Sequence, residues 1–266
     1  MRVATAGLLA AVLSGCGPRE LLLPSGDGVP FPGFAERFAL VTESCRGIRS
    51  LTAELSLSGR TGATRVRGRV LAGIQAPDSI RLEGVAPFGA PGFILAAAGG
   101  RGALLLPRDG QVLLDESPEA ILGALIGLPL RPAELLALAT GCVSSTPEAV
   151  AGRTYPGGWI VVDLVDGATA YLREGETTPR LVAATLPGLV VEYRQQASGL
   201  PTQLRVRSSG SAAVDRAPTD LTIGISQTET NRTLPDAVFE VDVPMTAVSI
   251  TLEQLRQTGP LGVASP

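Results

Sequence analysis

The 266-residue chain contains no histidine, and all 22 of its basic residues are arginine, so lysine is absent as well. Without imidazole there can be no Ser-His-Asp triad and no Cys-His pair, and the commonest zinc ligand is missing. Without an ε-amine no Schiff base forms. Nucleotide-binding loops are also lacking: there is no P-loop, and Gly99-Gly100-Arg101-Gly102 reads as a turn between strands rather than a G-x-G-x-x-G fingerprint. No G-x-S-x-G elbow occurs. Asp115 with Glu116 and Asp163 with Asp166 are the remaining candidates for acid-base work, but both pairs fall at strand ends beside turn residues. They read as solvated turns rather than a catalytic dyad. No enzyme, metal or cofactor is expected. A net charge of −3 and a pI near 5.2 exclude the basic footprint of a nucleic-acid binder.

What is present begins at the N-terminus. Arg2 supplies a short positive region, Gly7–Leu13 an apolar core of signal-peptide length, and Ser14-Gly15 two small residues directly before Cys16. The run is far below the ~20 residues of a spanning helix. Small residues before a cysteine resemble a bacterial lipobox, in which the thiol is acylated and the preceding residues are cut away. Residues 1–15 are therefore read as a lipoprotein signal peptide and Cys16 as the lipidated residue. Several acyl chains, palmitate among them, at ~0.8 kcal/mol per buried methylene make a lasting anchor. Residues 16–33 carry Pro18, Pro24, Pro30 and Pro32 with Gly17, Gly26, Gly28 and Gly33, and are expected to be a flexible tether. Asn231-Arg232-Thr233 matches a glycosylation sequon, without special meaning in a bacterial lipoprotein.

Mean hydropathy of +0.28 with 45% hydrophobic residues calls for a large core or an apolar cavity. Phe34, Phe38, Val41, Cys45 and Ile48 recur at helical spacing and predict a first helix. Strands with one wet face follow at Leu51–Ser58, Arg65–Val70 and Ile80–Glu83. Arg65, Arg67 and Arg69 on one strand face read as a solvated surface, or as an anion patch. Phe93–Ala98 and Ala103–Leu106 have no polar alternation, so each has two apolar faces and one must meet something other than water. Ser117-Pro118 opens a second helix that stops at Gly127, and Arg131-Pro132 a third that stops at Gly141. These helices either cap the core or form a lid. Strands are then expected at Trp159–Val165, Ala168–Arg173, Arg180–Leu186, Leu189–Arg194, Thr202–Arg207, Leu221–Thr228 and Val238–Val241. No repeat or composition break divides the chain, so residues 34–258 form one β domain, with 259–266 a tail.

Arg81–Leu95 (RLEGVAPFGAPGFIL), the apolar strands after it and Leu125–Gly141 (LIGLPLRPAELLALATG) together resemble the LolB family of outer-membrane lipoprotein receptors. In that family a strand enters a Pro-Leu-Gly loop, and a helical hairpin of the form T-G-x-P-[IL]-x…L…G follows two or three strands later. Pro87-Phe88-Gly89 and Ile126-Gly127-Leu128-Pro129-Leu130 stand in those places. Asn231–Pro244 (NRTLPDAVFEVDVP) is similar to the tail shared by LolA- and LolB-like proteins. Phe88 replaces the family leucine, and the cysteines at 45 and 142 have no counterpart in the motif. The resemblance implies a half-open antiparallel β-barrel, here of about eleven strands, with an apolar concave face for acyl chains and the inserted helices as a lid. It also implies a periplasm-facing outer-membrane receptor that takes lipoproteins from a LolA-like periplasmic carrier. A lipoprotein of the same fold that binds another lipid or glycolipid, or a structural envelope lipoprotein, are the alternatives.

Acyl chains are expected against Phe93, Leu95, Leu104, Leu106, Ile121, Leu122, Leu125, Leu135, Leu138 and Trp159, from their places on two-faced strands and on the inserted helices. Pro87, Phe88 and Gly89 offer a stiff uncharged turn with one large apolar side chain, which either enters the headgroup boundary or folds back on the barrel rim. Once Cys16 is acylated two thiols remain, and an oxidising compartment favours a Cys45–Cys142 bridge over two buried free cysteines. No nucleic-acid partner is expected, and the protein is expected to be a monomer.

Overall fold

The computed structural model describes residues 21–195, 199–209 and 218–258. The expected signal peptide at residues 1–15, Cys16 and the expected tail at 259–266 lie outside the described residues. The elements in chain order are β1 (Val29–Pro30), α1 (Phe34–Arg46), β2 (Ser50–Thr61), β3 (Thr64–Gln75), β4 (Ser79–Val85), β5 (Ile94–Ala98), β6 (Arg101–Leu106) and β7 (Gln111–Glu116). The helices α2 (Pro118–Ile126) and α3 (Pro132–Thr140) follow. The chain then forms β8 (Ala149–Tyr155), β9 (Trp159–Leu164), β10 (Thr169–Arg173), β11 (Arg180–Leu186), β12 (Leu189–Gln195), β13 (Pro201–Ser208) and β14 (Thr219–Thr230). It finishes with β15 (Val248–Ser249) and α4 (Leu252–Thr258).

The protein is mainly β, with one large open sheet in the order β1-β8-β9-β10-β11-β12-β13-β14-β2-β3-β4-β5-β6-β7-β15. Among the described residues fifteen strands replace the expected eleven, and the sheet does not close. All pairings are antiparallel except β15 on β7. Two hairpin meanders, β2–β7 and β8–β13, meet where β14 pairs with β2, Thr219 opposite Thr61 and Thr230 opposite Leu51.

Alternation along each strand sorts its residues between faces. Leu51, Ala53, Val66, Val70, Leu82, Leu95, Leu104, Val191, Leu204, Val206, Leu221 and Ile223 turn inward and are buried with α2, α3 and Leu255 of α4 in one core. A second core forms where α1, through Phe38, lies on Ile160, Val162, Leu172 and Leu181. Close approach of α1 needs Gly152 on β8, because a Cβ there would collide with Phe34.

The two-faced apolar strands have a simple explanation. Leu95 and Leu104 face the inner core, while Ala96, Leu105 and Val112 are buried on the outer face. The C-terminal segment crosses that outer face. Its 3₁₀ turn Asp236–Phe239 packs on β4 and β5, and its Val248 and Ile250 N–H groups donate to Gly110 and Val112 carbonyls at 2.8 Å. Val238–Val241, expected as a strand, is therefore not one. Two of its carbonyls are satisfied by a side chain, the Arg81 guanidinium, which donates to Val238 at 2.9 Å and Glu240 at 2.8 Å.

The expected tether is also partly docked. Val29 and Pro30 pair with Thr154 and Arg153, the Phe31 N–H donates to the Gly152 carbonyl, and the Tyr155 hydroxyl donates to Gly26. Cys45 and Cys142 form a disulfide with Cα atoms 5.6 Å apart, tying the end of α1 to the residue after Gly141. Beside it Asn231 holds the α1–β2 junction. Its side-chain oxygen accepts from the Arg49 N–H at 2.7 Å, its amide donates to Gly47 at 3.0 Å, and its own N–H donates to Ser50 at 2.9 Å.

Replacing Cys45 and Cys142 together by serine frees a 97-residue loop and should lower stability by ~2–5 kcal/mol in chemical denaturation. Asn231→Ala removes two side-chain hydrogen bonds and leaves a non-glycine residue at φ 56°, so a loss of ~1–2 kcal/mol is expected by the same measurement.

Candidate functional site: an apolar cavity beneath a helical hairpin

The hairpin α2–α3 is specified locally at both ends of each helix. The Ser117 hydroxyl accepts from the Ala120 N–H at 3.3 Å, Pro118 occupies the first turn, and Gly127 ends α2 in the left-handed region at φ 71°. For α3, the Glu134 carboxylate accepts from the Arg131 N–H at 2.9 Å, and Gly141 closes the helix at φ 83°. Both helices are too apolar to stand in water alone. They lie along the concave face of the sheet, bridging β7 at one edge to β8 near the other. The tip of the hairpin is held where the Thr61 hydroxyl donates to the Ile126 carbonyl at 3.1 Å. The root is held by the Cys45–Cys142 bridge. From outside, α4 packs on α2, with Leu255 buried in the shared core.

Between the hairpin and strands β2, β3, β4, β13 and β14 is a void of about 50 Å³ whose wall is entirely leucine, isoleucine, valine and phenylalanine. Phe93 reaches it because β4 carries Gly84, where a Cβ would stand 2.6 Å from the phenyl ring. Of the residues expected to meet acyl chains, Phe93, Leu122, Leu125, Leu135 and Leu138 line this void. Leu95, Leu104 and Ile121 are fully buried in the surrounding core without lining it, and Leu106 packs against that core half-buried. Trp159 is elsewhere. It starts β9, opposite Tyr155 and Arg173, with the Arg173 guanidinium 4.5 Å from its ring centre, and it belongs to neither core. Alternating apolar residues such as Leu57, Val70 and Val206 also line the void. Their period-2 pattern marks them as inward-facing, but only the strand order places them beneath the hairpin.

The other singled-out groups have ordinary partners. Asp163 accepts from Arg153 at 2.7 Å and from Thr169, and Asp166 accepts from Ser144 and the Ala168 N–H. Asp115 is exposed at φ 59° near Arg101. Among the described residues no His/Cys/Asp/Glu cluster could hold a metal ion, and no helix is long and apolar enough to cross a membrane. Phe88, flanked by Pro87 and Gly89, stands out from the β4–β5 loop with 89% of its surface exposed.

One polar group sits uneasily in this interior. The Tyr193 hydroxyl on β12 is buried and finds no hydrogen-bond partner among the described residues, and burial pushes its pKa well above the ordinary tyrosine value.

No family model matches the chain, and no curated protein matches it. Solved structures do. A DUF1329 family protein from Desulfovibrio piger superposes with a TM-score of 0.49 at 12% identity over 78% of this chain and 97% of that one. A LolA superfamily protein from Nitrosomonas europaea gives 0.45 at 12% identity over 79% and 98%. A domain assigned to outer membrane lipoprotein sorting, from Vibrio parahaemolyticus, gives 0.46 at 9% identity over 77% and 96%.

Because the folded state resists ionising Tyr193, this group leaves stability independent of pH below the ordinary tyrosine value of 10.0 and lowers it as pH climbs above that. Tyr193→Phe should abolish that alkaline loss. At neutral pH it should also stabilise the protein by up to ~1–3 kcal/mol, since an unsatisfied hydroxyl is removed from the interior. Denaturation midpoints measured from pH 7 to 11 decide both.

Proposed function

We propose that the protein is a non-enzymatic envelope lipoprotein, anchored through acylated Cys16 on the periplasmic face of the outer membrane, that takes acyl chains between the α2–α3 hairpin and the sheet. The observation that carries this reading is the wall of the void, which presents no polar side chain to whatever lies inside. Hydrocarbon needs no specific polar contacts and gains ~25 cal/mol for each Å² it buries. In the described state the void is several-fold smaller than the ~300–1,000 Å³ typical of small-molecule sites. Uptake therefore requires the hairpin to lift. Its root is covalently fixed at Cys142, whereas its tip is held, among the described residues, by the Thr61–Ile126 hydrogen bond and by apolar packing. The motion this allows is a swing of the tip.

The cargo class that fits best is the acyl group of a lipoprotein, handed over by a LolA-like carrier and released into the outer membrane, as the motifs at Pro87–Gly89 and Ile126–Leu130 imply. In this reading the exposed Phe88 loop is the part that meets the bilayer. A lipoprotein of the same architecture carrying another lipid or glycolipid uses the same void, and co-purifying molecules identified by mass spectrometry separate the two.

Leu135 lines the void from α3 and is only half-buried, so a larger side chain is accommodated there without rebuilding the core. Leu135→Trp should fill the space and weaken binding of a fluorescent fatty-acyl probe about tenfold, ~1.4 kcal/mol, with the thermal midpoint retained. A parent protein that neither takes up the probe nor carries acyl chains on purification would overturn the proposal.

A further inference from the structure

Three features that no folding argument requires come together at the end of the sheet beside the hairpin tip. The first is Met245. It occupies the tip of the turn closed by the Ala247 N–H on the Pro244 carbonyl and is fully exposed, at 105%. Three residues later Val248 donates to Gly110, which places this turn against the β6–β7 turn. Arg108 of that same turn donates to the Phe88 carbonyl at 3.3 Å. Phe88 and Met245, two of the most exposed large apolar side chains among the described residues, thus flank one short turn bearing the exposed Arg108 and Asp109.

The third feature is the arginine face of β2 and β3. Register sets Arg60 directly opposite Arg65, with Arg67 next on the same face, all three exposed. Like charges directly across a strand pair oppose folding. Among the described residues no carboxylate is paired with any of these three, while Arg69 beside them has Glu54 at 3.2 Å. Arg60 donates to the Ala63 carbonyl at 3.3 Å and faces Asp220 of β14, a carboxylate already held by Arg205 at 2.9 Å, so the charge of Arg65 and Arg67 is the part that breaks a local rule on a chain of net charge −3. The cluster lies by the β2–β3 turn, where Thr61 also holds the hairpin tip.

We infer that this end of the molecule is a bilayer-docking surface, in which Phe88 and Met245 enter the headgroup boundary as paired apolar prongs while Arg60, Arg65, Arg67 and Arg108 meet anionic lipid phosphates. Large apolar side chains gain from burial at that boundary, and arginines near it are drawn to anionic headgroups. The inference extends the acyl-carrier reading by giving the opening tip of the hairpin a direction: it would release its cargo against the membrane, not into the periplasm.

The test uses the lipidated full-length protein in vesicles of phosphatidylethanolamine and phosphatidylglycerol with brominated acyl chains, which quench tryptophan on contact. Trp159, the only native tryptophan, is buried under Arg173 and serves as the unquenched control. In a Trp159→Phe background, Met245→Trp should lose at least about half its emission relative to unbrominated vesicles. Arg60→Gln with Arg65→Gln should reduce that quenching to the level found without phosphatidylglycerol. Equal emission from Trp at 245 in the two kinds of vesicle would overturn the docking surface, and quenching indifferent to phosphatidylglycerol would overturn its cationic half. Quenching at 245 in a protein that takes up no acyl probe retains the docking surface and rejects the acyl-carrier reading instead.

Discussion

The concave face of the sheet is the constraint from which the rest follows. Strands from both meanders turn leucine, isoleucine and valine toward the same interior, and an open sheet offers no opposing wall of its own. The α2–α3 hairpin supplies that wall. Its Ile121, Leu122, Leu125, Leu136 and Leu138 are buried there, which explains why two helices of nine residues each persist although neither is long enough to be stable alone. Since the hairpin is also the covalent path from β7 to β8, it bridges the sheet and lines the cavity at once.

A second covering layer operates on the opposite face. Phe239 and the segment leading into β15 shield Ala96, Leu105 and Val112, and the Arg81 guanidinium closes two of the carbonyls that a strand would have paired. Phe239 belongs to the tail motif Asn231–Pro244, and the first residue of that motif, Asn231, fastens the junction that the disulfide also secures. The motif is thus explained by packing and hydrogen bonding, independently of any ligand.

Features encoded by neighbouring residues were legible in the sequence. Ser117, Pro118, Gly127, Pro132 and Gly141 delimit two helices through caps and left-handed glycines, and the structure places them there. The Cys45–Cys142 pairing followed from counting thiols in a presumed oxidising compartment. Features decided by distant partners were not legible. Val238–Val241 has the composition of a strand but meets a side chain instead of a ladder. Apolar runs on β5 and β6 signalled cover on both faces without revealing that one cover is the chain's own C-terminal segment. Trp159 alternates like a cavity residue yet sits on the other half of the sheet, because strand order, not pattern, assigns position. By contrast, α4 carries a local signal of its own: Thr251 and Gln254 form a reciprocal capping box, each side chain accepting from the other's N–H.

The seam between β14 and β2 joins residues 219–230 to residues 51–61, whereas nearly every other pairing links consecutive strands. Loop closure over such a separation is slow compared with forming local hairpins. The two meanders can therefore assemble early and separately, but the first must wait with β2 unpaired along one edge until almost the whole chain has been delivered. A polypeptide threaded outward from its N-terminus would thus complete its sheet only near the end of passage, and the unsatisfied edge of β2 during that interval is where self-association would begin.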